Sequence, residues 1–144
     1  YNPKVFGAAW MKAADMTEDK MKGGNMVLIF GLSFLFSVML AMILNGMVIH
    51  QYSIYSTLMN EPGFGDPNSE IGQFIADFMG KYGHNFRTFG HGALHGTMTG
   101  IFIILPVLAT NAMFERKGFK YILVNTGYWT VCLAIMGGII CGWV

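Results

Sequence analysis

Charged side chains disappear from this chain three times: between Lys22 and Glu61, from Gly90 to Phe114, and from Tyr121 to Val144. A helix rises about 1.5 Å per residue and a bilayer's hydrocarbon is about 30 Å thick, so each of these runs can cross it. The pattern predicts spans at 26–50, 90–114 and 121–144. The last opens on Tyr121, Tyr128 and Trp129 and closes on Trp143, amphipathic rings of the kind that collect at membrane–water interfaces. Between the first two spans the pattern changes. Ile71, Phe74, Ile75, Phe78, Met79 and Tyr82 fall on one helical face, which predicts an amphipathic helix over 67–82. Asp66 is its expected cap and Pro67 its first-turn residue. Residues 3–14 read similarly, with Phe6 and Trp10 on one side and Lys4 and Lys12 at the polar boundary. Both helices are expected to lie in the membrane interface. The fold class is therefore an all-α integral membrane helical bundle, a single membrane domain over 1–144.

Composition fits that architecture and excludes others. Apolar residues make up 53% of the chain and charged ones 12%, too few to cover the surface of a water-soluble domain this small. The lipid bilayer is the first partner. A net charge of +1 with no basic stripe excludes nucleic acid as a second. Lysine and arginine then orient the bundle. Lys4, Lys12, Lys20 and Lys22 precede the first span, and Arg116, Lys117 and Lys120 cluster between the second and third, whereas the connection 51–89 holds only Lys81 and Arg87. Positive charge stays inside, so segment 1–25 and turn 115–120 are expected in the cytoplasm and 51–89 outside, periplasmic or extracellular. Cys132 and Cys141 are nine residues apart in one run, on opposite helix faces. They are read as small buried residues that do not pair.

Gly92, Gly96 and Gly100 recur every four residues along the second span, a line along which another backbone can approach closely. Gly138 and Gly142, with Ala134, form a looser version on the third. Asn111 and Asn125 sit near the ends joined by the short turn and are expected to hydrogen-bond to each other, since an amide in hydrocarbon seeks a partner. The five glycines and the two asparagines are the expected helix-packing set. The histidines are the candidates for chemistry. His50 ends the first span, His84 precedes the second, and His91 and His95 share one face of it. Spacing of i and i+4 lets two imidazoles meet one metal, so His91 and His95 are the candidate metal ligands. With His50 they are the candidate cofactor-binding set, for a metal or a haem. Capping or hydrogen bonding at the interface is the alternative role.

Motifs for a zinc protease, a serine hydrolase, a redox dithiol and a nucleotide loop are all missing. No acidic residue lies within a span, and such residues are the usual proton-relay and ion-coupling elements of transporters. No resident cofactor is required by the sequence, and catalysis by the chain alone is not expected. The expected function is that of a non-enzymatic accessory or structural subunit, packing on itself or on other membrane protein subunits. The alternatives are a metal- or haem-binding membrane protein using the outer histidines, and a small transporter or lipid-binding protein.

The opening Tyr1-Asn2-Pro3, Phe6-Gly7 and Trp10-Met11-Lys12, then Asn111 with Phe114-Glu115, then Asn125-Thr126-Gly127-Tyr128-Trp129 and Met136-Gly137 together resemble the domain-of-unknown-function family 1761. The resemblance covers nearly the whole chain. It implies a small membrane protein of the bacterial inner membrane, with a fourth spanning helix upstream of Tyr1. The long outer connection is an elaboration on that pattern. The resemblance brings no catalytic residue and no substrate.

Overall fold

The computed structural model describes residues 7–17, 19–20 and 24–143. It is all-helical, with no strand among the described residues. A short helix α1 (Ala8–Ala13) leads to α2 (Met26–Val48), then a short α3 (Tyr52–Leu58), then α4 (Glu70–Tyr82). The bundle closes with α5 (Phe89–Phe114) and α6 (Phe119–Gly142). Helices α2, α5 and α6 are long and apolar enough to cross a membrane. Residues 3–6 of the expected interfacial helix, and Lys22, lie outside the described residues.

Local chemistry sets the helix ends. Asn25 caps α2, its side chain accepting from the Leu28 N–H at 3.1 Å, and Thr88 caps α5 by accepting from the His91 N–H at 3.2 Å. Each satisfies one of the donors that a first helical turn leaves unpaired. Helix α2 stops at Val48 because Ile49 turns extended, with φ −106° and ψ 93°. That places His50 beyond the span in the turn before α3, an element the hydrophobic pattern did not signal. Within α5 the residues Gly100–Ile104 form a π turn just ahead of Pro106. Proline removes a backbone donor and crowds the preceding turn, and one wider turn accommodates both effects.

The expected Asp66 cap is corrected. Ser69 caps α4, its Oγ accepting from the Gly72 N–H at 2.9 Å, while the Asp66 carboxylate accepts from the Asn68 N–H at 2.9 Å. Asp66 therefore forms a local turn that delivers the chain to Ser69, and the helix starts later than the proline suggested.

Helices α5 and α6 form the tightest pair, antiparallel and joined by a short turn. A Cβ on Gly92 would come within 2.1 Å of the Gly137 carbonyl oxygen, and one on Gly96 within 2.0 Å of that of Leu133. Gly100 abuts Thr130 in the same way. The facing line on α6 thus runs through Thr130, Leu133 and Gly137. Gly138 and Gly142 instead receive Phe89, whose ring covers the first and whose backbone approaches the second. Leu44, Val48 and Ile49 complete a small core with Leu133 and Cys141. Most of the rest of α2 is exposed, including Val27, Phe30 and Phe34, as an apolar surface awaiting lipid or another helix.

The expected Asn111–Asn125 hydrogen bond is absent. Asn125 donates to the Tyr121 carbonyl one turn back on its own helix, at 2.8 Å, and Asn111 is exposed. Successive helical residues point about 100° apart. Since Ala112 is the residue turned inward, Asn111 faces away from α6.

At the opposite end from the histidines, Asp15 and Lys117 form an ion pair at 2.9 Å that ties α1 to the α5–α6 turn. The hydrogen bond and charge of Lys117 hold the Asp15 carboxyl below its ordinary range, with Lys20 adding a smaller pull. Asp15 in turn raises Lys117. A depressed acid contributes stability above its unfolded pKa and loses it as pH falls through the folded value. A raised base contributes below its unfolded pKa and loses it as pH climbs through the folded value. The contact is therefore expected to hold across the whole neutral range. In a carboxyl NMR titration, Asp15 should titrate below ordinary aspartates and return to their range in Lys117→Gln; an unchanged titration in that variant would refute the pairing.

Candidate metal centre

Two of the site's side chains are positioned by the start of α5. With Thr88 at the cap, His91 lies in the first turn and His95 one turn further on, both half-buried on the same face. The third, His50, comes from the turn that the break at Ile49 creates. It crosses to α5 and brings its Nε2 to 2.8 Å from the Nε2 of His91. His50 and His95 ring centroids lie 4.8 Å apart, and those of His91 and His95 4.6 Å. One ring nitrogen from each of the three falls within 4.8 Å of the others, with His50 the exposed member. His84 is exposed and outside the group.

The 2.8 Å contact requires one imidazole to donate and the other to accept, so the pair is held in complementary tautomers. The same lone pairs could instead face a metal. Zinc–imidazole bonds of about 2.0–2.1 Å in tetrahedral array separate the nitrogens by roughly 3.3 Å. The three donors bracket that spacing, the closest pair slightly inside it and the widest outside it.

The surroundings hold this arrangement in place. Phe86 lies over His91, with centroids 5.2 Å apart and planes tilted by 30°, and meets His50 nearly edge-on at 6.4 Å. Its backbone adopts φ +62°, a conformation that costs a bulky residue roughly 1–3 kcal/mol and survives only where neighbours over-determine it. Those neighbours are visible. The buried Cys141 thiol donates to the carbonyls of Val48 and Phe86 at 3.3 and 3.4 Å, and Arg87 donates to those of Cys141 and Trp143 at 2.9 and 2.6 Å. A cation at the carbonyl end of α6 is favoured by the helix dipole as well as by the hydrogen bonds. Gln51, 7% exposed, donates to the carbonyls of Tyr82 and Asn85 at 3.1 and 2.6 Å. The loop bearing Phe86 is thus fastened on both sides of the histidines. Phe86, Arg87 and Gln51 carry no sequence signal for this role beyond Arg87 being one of two cations in the connection 51–89.

No curated protein and no solved structure matches this chain. One protein family does, described as a protein of unknown function (DUF1761), and the match runs over residues 1–141. Since that covers nearly all of the sequence, the chain belongs to the DUF1761 family.

Proposed function

We propose that this membrane protein holds one divalent first-row transition-metal ion on His50, His91 and His95. The observation that carries the reading is the convergence of three imidazole nitrogens within 4.8 Å, drawn from two separate elements. Imidazole donors without thiolate or carboxylate suit zinc, copper, nickel or iron. Three protein ligands, the exposed His50 among them, leave a coordination position for water or an incoming group. A haem held between His50 and His91 fits poorly. Its axial nitrogens would stand about 4 Å apart, two metal–imidazole bonds in line, whereas His50 and His91 are at 2.8 Å with no room for a macrocycle between them. The lysine and arginine distribution favours placing the site on the outer face of a bacterial inner membrane. The chain acts in this reading as a metal-holding subunit, without catalysis of its own.

The test is a Zn²⁺ and Cu²⁺ titration of chelator-stripped protein in mild detergent, followed by calorimetry and elemental analysis. One equivalent of either ion is expected to bind. Binding indistinguishable from that of a variant with all three histidines replaced would overturn the proposal.

A second reading, an accessory subunit of a membrane assembly, draws on α2. Only Leu44 and Val48 are buried along it, so most of its apolar circumference is free for a neighbouring helix. Cross-linking from Phe34 in native membranes would support it by capturing one defined membrane subunit and would oppose it by capturing lipid alone.

A further inference from the structure

The end of the bundle remote from the histidines carries a second built feature. A cleft of about 340 Å³ opens between α1 and the α5–α6 turn, lined by Lys12, Asp15, Arg116, Lys117, Lys120 and Tyr121 together with the alanine face of α1. Four cations thus face one carboxylate. Asp15 is engaged by Lys117 at 2.9 Å, and Glu115 lies near enough to raise Lys117 further, so the balance at the cleft remains positive. Helix α6 begins beside it at Gly118, with no side chain capping its first turn. Its leading N–H groups and the positive end of its dipole add to the same field. Phe114 and Phe119, 87% and 71% exposed, flank the turn as apolar neighbours of a charged opening.

The geometry points to a binding site for a phosphate-bearing anionic group, and the position favours the headgroup of an anionic phospholipid. The cleft sits where the apolar runs of α5 and α6 end, the depth at which lipid phosphates lie. Basic pockets between spanning helices at the cytoplasmic side are suited to such headgroups. The alanine wall and Tyr121 offer contact to the glycerol region, while Lys12, Arg116 and Lys120 offer charge to the phosphate. Asp15 keeps α1 closed over Lys117 but also withholds one cation from the ligand. That dual role gives the site an unusual signature: one substitution should weaken binding and another should strengthen it.

The experiment titrates phosphatidylglycerol, with phosphatidylcholine as the neutral comparison, into the full chain in non-ionic detergent. Retained lipid is counted by native mass spectrometry, and inorganic phosphate is titrated alone in a parallel arm. Wild-type protein should retain phosphatidylglycerol preferentially. Lys12→Gln/Lys120→Gln should lower its affinity about thirtyfold, from roughly fivefold per cation, and Asp15→Asn should raise it. Unchanged helicity and an unchanged thermal unfolding midpoint in detergent verify the fold of each variant. Lipid retained through the same lysines assigns the site to the headgroup, and inorganic phosphate bound through them without lipid enrichment assigns it to a soluble phosphate. Equal retention of both lipids with no phosphate binding, or binding indifferent to the lysines, would overturn the proposal.

Discussion

His95→Ala is expected to lower the affinity for a single Zn²⁺ or Cu²⁺ ion by at least about a hundredfold, because losing even an outer-sphere partner of a metal ligand costs 10- to 100-fold. The substitution leaves His50 and His91 at 2.8 Å, free to satisfy each other by hydrogen bonding and two donors short of a closed coordination sphere. His91→Ala should act similarly, since it removes the donor closest to His50. His50→Ala removes the only ligand that does not ride on α5 and leaves an i, i+4 pair on one helix face. That pair still binds weakly, so the three variants should all fall well below wild type. His84→Ala is the matched control. It deletes an exposed imidazole from the connection between α2 and α5 without touching the group, and its affinity should stay at the wild-type value. Equal affinity in wild type and His95→Ala, with helicity preserved, would remove the basis for a three-histidine site.

The sequence pattern carried some of this and not the rest, for reasons that differ by residue. The spans were legible because charge is excluded over lengths a bilayer dictates, and that constraint acts residue by residue along the chain. His91 and His95 were legible as a pair because their spacing is a helix property. His50 joined them in the candidate cofactor set from its place at the end of the first span, but its 2.8 Å approach to His91 was not legible, since it depends on the extended Ile49 and on α2 crossing α5. Phe86 offered no hint, because a bulky residue at positive φ runs against its own preference and is held there by Cys141, Arg87 and Gln51. The glycines show the boundary most clearly. Gly92, Gly96 and Gly100 announced a close approach, but which residues of α6 would face them was set by helix rotation. The answer was Thr130, Leu133 and Gly137, leaving Gly138 and Gly142 to receive Phe89. Asn111 failed by the same angle, one residue away from the inward Ala112.

Gly96→Ala is expected to be the most damaging single-methyl addition in the bundle, costing about 3 kcal/mol, the upper end of the usual range for overpacking. An ideal Cβ there lies 2.0 Å from the Leu133 carbonyl oxygen and 2.5 Å from its carbon. Both are backbone atoms of a continuous helix, so no side chain can rotate away to make room. Relief requires α5 and α6 to separate by more than 1 Å, about the shortfall from ordinary contact. Separation at Gly96 also opens the contacts at Gly92 and Gly100, and it loosens Leu133 and Cys141, which are buried in the core that α2 shares. Without a strong hydrophobic drive between helices in lipid, such packing is much of what holds them together. Gly90→Ala in the same helix meets nothing within 4 Å and should be neutral or stabilising by up to about 1 kcal/mol, the helix preference of alanine over glycine. Denaturation in mixed detergent measures both. Metal affinity supplies the second readout, because displacing α5 carries His91 and His95 away from His50 together. If Gly96→Ala and Gly90→Ala prove equally stable and bind metal alike, the close approach of α5 and α6 is not what positions the histidines.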